Sequence, residues 1–313
     1  MILFMKTITE LLNIKYPVLQ GAMANISTHT LVAAVSNAGG LGVLATGFNE
    51  PDWVRDEIRK IKQLTDKPFG VNLYMFSPHI KELAKLVVEE GVKILTTGAG
   101  NPQPYMKEWK DAGIKVIPVI ASVALAVRME RFGADAVICE GREAGGHIGP
   151  SSTFPLLPQV TRAVKIPVIA AGGIGNYQGV AAALALGAKG IQAGTIFLAS
   201  EECPIHENYK NLVLKARDTS TVITASEHAD VRVLKNALAT TYNAKVKEGA
   251  TFEELEKLTT GSLRKAIVDG NLDEGSFMAG EIAGLIDEIK PVKQIIEDLI
   301  LPVNDYLKTL KIE

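Results

Sequence analysis

One histidine of this 313-residue chain lies where a buried core does not require it. His147 stands in the stretch EAGGHIG, residues 143–149, with glycines on both sides. Imidazole has an ordinary pKa of about 6.5 and therefore exchanges protons near neutral pH. Because glycine has no side chain, the backbone around His147 can approach a ligand closely. The pattern indicates a proton or hydrogen-bond donor, and the alternative is a histidine that only caps the loop before the next helix.

Two glycine-containing segments are typical of a phosphate site. They are AAGGI, residues 170–174, and AGTIF, residues 193–197, and each ends a short apolar run. Gly172 and Gly173 allow backbone N–H groups to approach an anion, and Thr195 adds a hydroxyl. Neither segment contains Lys or Arg, so backbone dipoles would carry most of the attraction. The alternative interpretation is that these glycines only form tight turns.

Three further side chains suit a flat ring. The amide of Asn72 both donates and accepts hydrogen bonds and can therefore recognise a ring edge. Met23 and Met278 offer an adaptable apolar surface. Flavin mononucleotide (FMN) would satisfy the ring and phosphate features together, whereas a sugar phosphate remains the alternative.

The remaining histidines and Cys139 carry weaker signals. His29 and His79 begin helical segments and are expected at the surface. His206 and His228 lie in the C-terminal part, where His228 is a weak candidate for substrate contact. Cys139 lies within an apolar run and is expected to pack as a small apolar residue. No cluster of His, Cys and carboxylates has metal-ligand spacing, and a metal site is left unassigned.

The elements that must position these residues alternate in type. Short apolar or β-branched runs are each followed by a segment of helical period, and most of these segments end on Gly. The runs lie at 16–23, 41–47, 69–75, 94–100, 115–122, 135–141, 167–175 and 190–197. Eight such units predict a closed (β/α)8 TIM barrel, whose site lies at the carboxyl ends of its strands. A doubly wound sheet is disfavoured because the first run ends in QGAM rather than in a G-x-G-x-x-G turn.

The pattern changes after about residue 200, where helical segments follow one another without a convincing strand. We therefore predict an FMN-binding barrel over 1–200 and a helical substrate or lid subdomain over 201–289, which covers the barrel mouth. The segment 229–249 is predicted to be helical throughout. A C-terminal helix over 290–312 is expected to pack back on the barrel.

Composition excludes several classes of partner. The formal net charge is -2, from 33 basic and 35 acidic residues, so no excess of positive charge favours binding to nucleic acid or to an anionic membrane. Two cysteines without a pairing pattern favour a reducing cytoplasm. The apolar start MILFM is too short for a signal peptide, and no run reaches about 18 apolar residues. A cytoplasmic protein that acts on small molecules is expected.

The motifs taken together resemble the FMN-dependent enoyl-[acyl-carrier-protein] reductase II family, a branch of the nitronate monooxygenase-like flavoprotein barrels. The resemblance covers nearly the whole chain, and EAGGHIG followed by AAGGI is its most specific part. The stretches that carry it are YPVLQGAMA, SNAGGLG, LTDKPFGVNL, TTGAGNP, KVIPV, EGREAGGHIG, IPVIAAGGI, EECPIHENYK and GSFMAGEIAGLI.

The resemblance implies a reaction and its partners. NADH or NADPH would reduce FMN, and the reduced flavin would pass hydride to the β-carbon of a trans-2-enoyl chain on acyl carrier protein, the last step of fatty-acid elongation. His147 would be the catalytic residue that donates a proton or stabilises the enolate. A homodimer and stimulation by a monovalent cation are further expectations from the family.

The resemblance also implies the cofactor contacts by position. Flavin contacts would be Gly21, Ala22, Met23, Asn72, Glu140, Gly145 and Gly146. Phosphate contacts would be Ala171, Gly172, Gly173, Gly194 and Thr195. The C-terminal segment would approach the flavin through Met278, Ala279 and Gly280.

Three departures from the family pattern bear on substrate and pyridine-nucleotide preference. Ile196 replaces the Arg of a usual GTRF, Glu281 replaces a usual Gln, and the segment 227–232 lacks the usual glycine. Nitronate monooxygenase and NAD(P)H:quinone reductase remain alternatives on the same scaffold. A flavin-free barrel that binds a phosphate ligand is the alternative from another class. EGREAGGHIG and GSFMAGEIAGLI favour the enoyl reductase.

Overall fold

The computed structural model describes residues 7–225 and 230–311. Its strands are β1 (Val18–Gln20), β2 (Gly42–Ala45), β3 (Phe69–Tyr74), β4 (Ile94–Gly98), β5 (Lys115–Ile120), β6 (Val137–Glu140), β7 (Gly146–Ile148), β8 (Val168–Ala171), β9 (Gly190–Ala193), β10 (Thr221–Ala225) and β11 (Asp230–Leu234).

Helices separate most of these strands. They are α1 (Ile8–Leu12), α2 (His29–Asn37), α3 (Pro51–Leu64), α4 (Ile80–Glu89), α5 (Gln103–Asp111), α6 (Val123–Arg131), α7 (Thr153–Ala163), α8 (Tyr177–Ala185), α9 (Thr195–Leu198), α10 (Glu207–Leu214), α11 (Ala237–Lys247), α12 (Phe252–Thr259), α13 (Ser262–Ile267), α14 (Val292–Ile300) and α15 (Val303–Thr309). A 3-10 turn spans Glu281–Leu285.

Eight of the strands form one parallel sheet in the order β1-β9-β8-β6-β5-β4-β3-β2. A parallel bridge between Leu19 and Leu41 brings the two ends of this sheet together. Parallel neighbours need crossover connections, and the intervening helices supply them. The predicted (β/α)8 barrel is therefore confirmed.

Branched aliphatic side chains fill the inside of the barrel. Leu19, Val43, Ile117 and Ile169 are fully buried in one cluster, and Ile8 of α1 belongs to the same cluster. Both faces of a parallel strand are buried, which explains the nearly continuous apolar character of the strands. Ile8 lies beside Gly190 at the start of β9, so α1 covers the amino end of the barrel.

The prediction that 201–289 is wholly helical is wrong in two segments. β10 and β11 form an antiparallel hairpin, and β7 from the barrel part adds a third strand. Of the segment 229–249, the described residues 230–249 form a strand followed by α11 rather than one helix. β-branched residues favour strands, and the side chain of Asn236 accepts a hydrogen bond from the backbone N–H of Ala239, so that α11 begins only there.

The C-terminal helices contact the barrel wall. α14 packs against α2 and α8, and α15 packs against α8. The rings of Tyr177 and Tyr306 meet edge to face with centroids 5.4 Å apart. Within the described ranges, none of the helices combines the length and the apolar character needed to cross a bilayer.

Candidate active site

A cavity of about 590 Å³ opens at the carboxyl ends of the barrel strands. Its walls come from the strand ends and from the C-terminal addition, which contributes Leu263, Met278 and Ile282. This size suits a small-molecule or cofactor site. The predicted addition over the barrel mouth is thus present, and it closes one side of the cavity.

The structure brings the predicted site residues together, with one exception. Ala279 is buried behind the cavity wall and does not line the cavity. The predicted residues that do line it are Gly21, Ala22, Met23, Asn72, Glu140, Gly145, Gly146, His147, Ala171, Gly172, Gly173, Gly194, Thr195, Met278 and Gly280.

The turn after β8 has the form of an anion cradle. Gly172 and Gly173 have φ values of 84° and 76°, in the left-handed region that favours glycine. A Cβ on Gly172 would lie 2.8 Å from the carbonyl oxygen of Gly141. Within residues 7–225 and 230–311, neither glycine N–H has a hydrogen-bond acceptor. These N–H groups are therefore available to a bound anion.

Thr195 links the second glycine segment to the C-terminal addition. The backbone N–H of Gly280 donates to Thr195 Oγ1 at 2.8 Å. Because that oxygen accepts from Gly280, its own proton remains available to a ligand. Close approach also requires Gly145, where a Cβ would lie 2.7 Å from the backbone nitrogen of Gly280.

His147 lies on a strand rather than in the predicted loop. β7 pairs with β11 so that His147 is opposite Val231, and Gly146 adopts a φ of 76°. The side chain is at the open rim of the cavity. Desolvation by the surrounding protein disfavours the charged ring and lowers the pKa of the imidazole below its ordinary value. The ring is therefore neutral at pH 7, where it can donate one N–H bond and accept another.

Glu140 ends β6 and turns its carboxyl group toward the cavity. Burial raises the pKa of this group to about 7. In the described part of the chain, the carboxyl group has no hydrogen-bond partner. A carboxyl group held between its two protonation states can donate to or accept from a polar ligand.

We expect Glu140→Gln to remove a pH-dependent destabilisation. The native pKa lies above the unfolded value of about 4.3, so ionisation opposes folding as the pH rises from that value through about 7. The variant should therefore gain stability relative to the native protein at pH 8 but not at pH 4. Urea denaturation at both pH values measures the difference. Exposed Glu253→Gln is the control, and an equal effect of Glu140→Gln at both pH values would contradict the assignment.

Sequence reasoning missed several cavity residues. Glu143 accepts the backbone N–H of Thr153 at 2.9 Å and so caps α7, while its own carbonyl oxygen accepts from Glu281. Asn49 carries a buried side-chain nitrogen, Nδ2, without a partner in the described residues. Glu143 lies within EAGGHIG itself, and Asn49 follows the second strand. A search of every strand end, rather than only glycine-rich ones, would have found Asn49.

The other histidines lie away from the cavity or outside the described residues. His29 pairs with Glu57 at 2.8 Å between Nδ1 and Oε2. His79 lies 3.4 Å from Glu50, and His206 accepts the N–H of Asn208. His228 lies outside the described residues, in 226–229, and so does part of the segment 227–232 that differs from the family pattern.

Cys139 is buried in β6, as predicted, and burial raises the pKa of its thiol to about 12.

A buried arginine holds the histidine strand against the C-terminal addition. Arg232 donates to the carbonyl oxygen of Arg142 at 3.1 Å and to Thr221 Oγ1 at 3.0 Å. Its guanidinium also lies 2.9 Å from Glu281 Oε1. In the strand register Arg232 is opposite Gly146. Two of the three differences from the family pattern are therefore linked, because Glu281 forms an ion pair with Arg232, which lies in the segment 227–232. Ile196, the third difference, does not line the cavity.

We expect Arg232→Met to lower turnover roughly 10- to 100-fold, because the loop that leads into β7 loses the charge-assisted bonds at Arg142 and small displacements of a catalytic group are costly. Amide hydrogen exchange of 146–148 should become faster while the protein stays folded. Glu281→Gln is the matched control, since an amide oxygen can still accept from Arg232. Unchanged exchange in Arg232→Met would contradict this role.

The barrel and its glycine-lined mouth define an α/β-barrel protein whose cavity suits a ligand with an anionic group. A profile of the nitronate monooxygenase family matches residues 5–87 and 79–301. The chain is 33% identical to the (3aS,4S,5R,7aS)-5-hydroxy-7a-methyl-1-oxo-octahydro-1H-indene-4-carboxyl-CoA dehydrogenase of Mycobacterium tuberculosis, over 96% of this chain and 97% of that relative. A probable nitronate monooxygenase of Staphylococcus saprophyticus is 31% identical over 96% of this chain and 98% of the relative. Among solved structures, FabK from Thermotoga maritima has a TM-score of 0.93 and 49% identity, covering 97% of each chain.

The chain belongs to the nitronate monooxygenase family. It is thus an oxidoreductase of the flavoprotein type on a TIM barrel. The predicted resemblance to the FMN-dependent enoyl-[acyl-carrier-protein] reductase II family is also confirmed, because FabK is a reductase of that type.

Proposed function

We propose that the protein is an FMN-dependent enoyl-acyl carrier protein reductase that uses NADH or NADPH. The likeness to FabK at 49% identity supports this choice, together with the EAGGHIG and GSFMAGEIAGLI stretches. Acyl carrier protein as the chain carrier, a homodimer, a cytoplasmic location and stimulation by a monovalent cation are parts of the same proposal.

The residues at the mouth fit FMN. The N–H groups of Gly172 and Gly173 and the hydroxyl of Thr195 would hold the phosphate, and Met278 would border the ring. A Cβ at position 172 would lie 2.8 Å from the carbonyl oxygen of Gly141, which explains why glycine is needed in this turn. When bound, FMN supplies hydride transfer between nicotinamide and the enoyl double bond.

The charge of the cavity supports an enoyl thioester over an alkyl nitronate as the substrate. Among its described lining residues, the acidic and basic side chains are Glu140, Glu143 and His147, without a Lys or Arg. An enoyl thioester is neutral, whereas an alkyl nitronate is an anion that would meet two carboxyl groups without a basic partner. The neutral imidazole of His147 adds no positive charge. The cavity therefore favours the thioester.

His147 would stabilise charge that develops on the substrate. Hydride arrival at the β-carbon moves negative charge toward the thioester oxygen, where a fixed N–H donor is most effective. Because the imidazole pKa is lowered, this donor is the neutral ring. Pairing of β7 with β11 fixes the backbone that carries this ring.

Parallel assays test the proposal. The purified yellow protein should oxidise NADH or NADPH with crotonyl thioester faster than it consumes oxygen with propyl-2-nitronate or reduces a quinone. Faster nitronate turnover would assign it to nitronate oxidation instead. A colourless protein that does not take up FMN would support the flavin-free phosphate-binding barrel.

A further inference from the structure

We propose that Phe48, Tyr74 and Phe76 form a subsite for the apolar acyl chain of the thioester. We call these three residues the aromatic rim. The inference rests on the proposed function, because it names the part of that substrate which the rim would take.

The aromatic rim is continuous with the cavity. Phe48 and Tyr74 line it, and their ring centroids are 5.0 Å apart in an edge-to-face arrangement. Phe76 extends the row, with its centroid 6.1 Å from that of Tyr74. All three residues lie at or just beyond the carboxyl ends of β2 and β3. The rim therefore leads from the cavity toward solvent.

Two of the three aromatic side chains in the rim are largely exposed to solvent. Phe48 is 67% exposed and Phe76 is 68% exposed, although Tyr74 packs between them. Isolated exposed apolar residues are common, but a contiguous apolar patch beside a cavity marks a binding surface. The faces left open by edge-to-face packing are suited to an aliphatic chain.

The loop that carries Phe48 also holds two unpaired polar groups. Thr46 Oγ1 and Asn49 Nδ2 are buried without hydrogen-bond partners in the described residues. They flank Phe48 in the connection from β2 to α3. Buried polar groups are nearly always paired, so two unpaired groups set this loop apart from ordinary packed backbone. Asn49 also lines the cavity, which places the loop at the site.

The aromatic rim suits an uncharged group. Its three side chains carry no charge, and Glu50 follows Asn49 directly in the chain and lies 3.4 Å from His79. An uncharged chain meets no electrostatic penalty here, whereas an anionic group would find no basic side chain in the rim itself.

Saturated acyl-CoA esters of two to ten carbons test the subsite without turnover. Isothermal titration calorimetry on the flavin-loaded protein should show affinity rising roughly three- to fourfold for each methylene group that the rim buries. The double variant Phe48→Ala/Phe76→Ala should flatten this dependence. Phe154→Ala is the control, because Phe154 is 70% exposed but does not line the cavity.

The outcomes separate the two proposals. If the double variant keeps the chain-length dependence, or the native protein shows none, the subsite is wrong. If the double variant instead dissociates a dimer in sedimentation while the dependence is unchanged, the rim is a contact between copies and the subsite is again wrong. A protein with the expected dependence that fails to reduce enoyl thioesters would keep the subsite and overturn the proposed function.

Discussion

His147→Ala will give a yellow protein whose enoyl-thioester reduction is roughly 100- to 10,000-fold slower than that of the native enzyme. Reduction of the flavin by NADH or NADPH should persist, because the imidazole is at the rim of the cavity and the phosphate cradle lies on β8 and β9. Stopped-flow measurement of the two half-reactions separates these effects. Equal losses in both half-reactions would show a general structural defect, and unchanged enoyl reduction would remove His147 from catalysis.

His147→Gln tests which form of the ring acts. Glutamine keeps an N–H donor without a titratable group, so it should recover part of the lost rate. The lowered pKa of the native imidazole implies a reduction rate that does not fall between pH 7 and 8.5, since the ring is already neutral there. Glu140 titrates near pH 7, and the profile should therefore be recorded in Glu140→Gln. A rate that falls with the loss of one proton above pH 7 would identify the imidazolium as the donor.

Gly172→Ala will abolish flavin retention. The native φ of 84° is unfavourable for alanine, and the added Cβ would lie 2.8 Å from the carbonyl oxygen of Gly141. The turn must shift to relieve this contact, which moves its N–H groups away from the phosphate. We expect a colourless protein and at least a 100-fold weaker affinity for FMN, because several charge-assisted hydrogen bonds are lost together. Flavin absorbance per protein and fluorescence titration with FMN measure the two quantities.

Gly113→Ala is the matched control for backbone strain. Gly113 has a φ of 74°, but a Cβ there meets nothing within 4 Å. Both variants should lower the melting temperature, and only Gly172→Ala should lose the flavin. A Gly172→Ala protein with native flavin content would show that the β8 turn does not hold the phosphate.

Local sequence patterns were sufficient for the barrel and for most of the site. The alternation of buried strands and Gly-terminated helices predicted the parallel sheet, because each step depends on neighbouring residues. The carboxyl ends of such strands necessarily meet at one mouth, so the sequence alone was enough to place Asn72, Glu140 and Gly172 together. The glycine segments were also predictable, because a left-handed turn depends only on the residues within it.

Only the tertiary structure decided how the C-terminal addition is built and what it does to the site. β11 lies 80 or more residues beyond β7 in the chain, and a single sequence contains no signal for that pairing. Arg232 and Glu281 are also far apart in the chain, so their ion pair, which explains the presence of Glu281, could not be predicted either. The aromatic rim and the orphaned amide of Asn49 also emerge only when separate loops meet. Sequence periodicity reports the local conformation of a segment, whereas the partners of its edges and side chains depend on contacts between segments far apart in the chain.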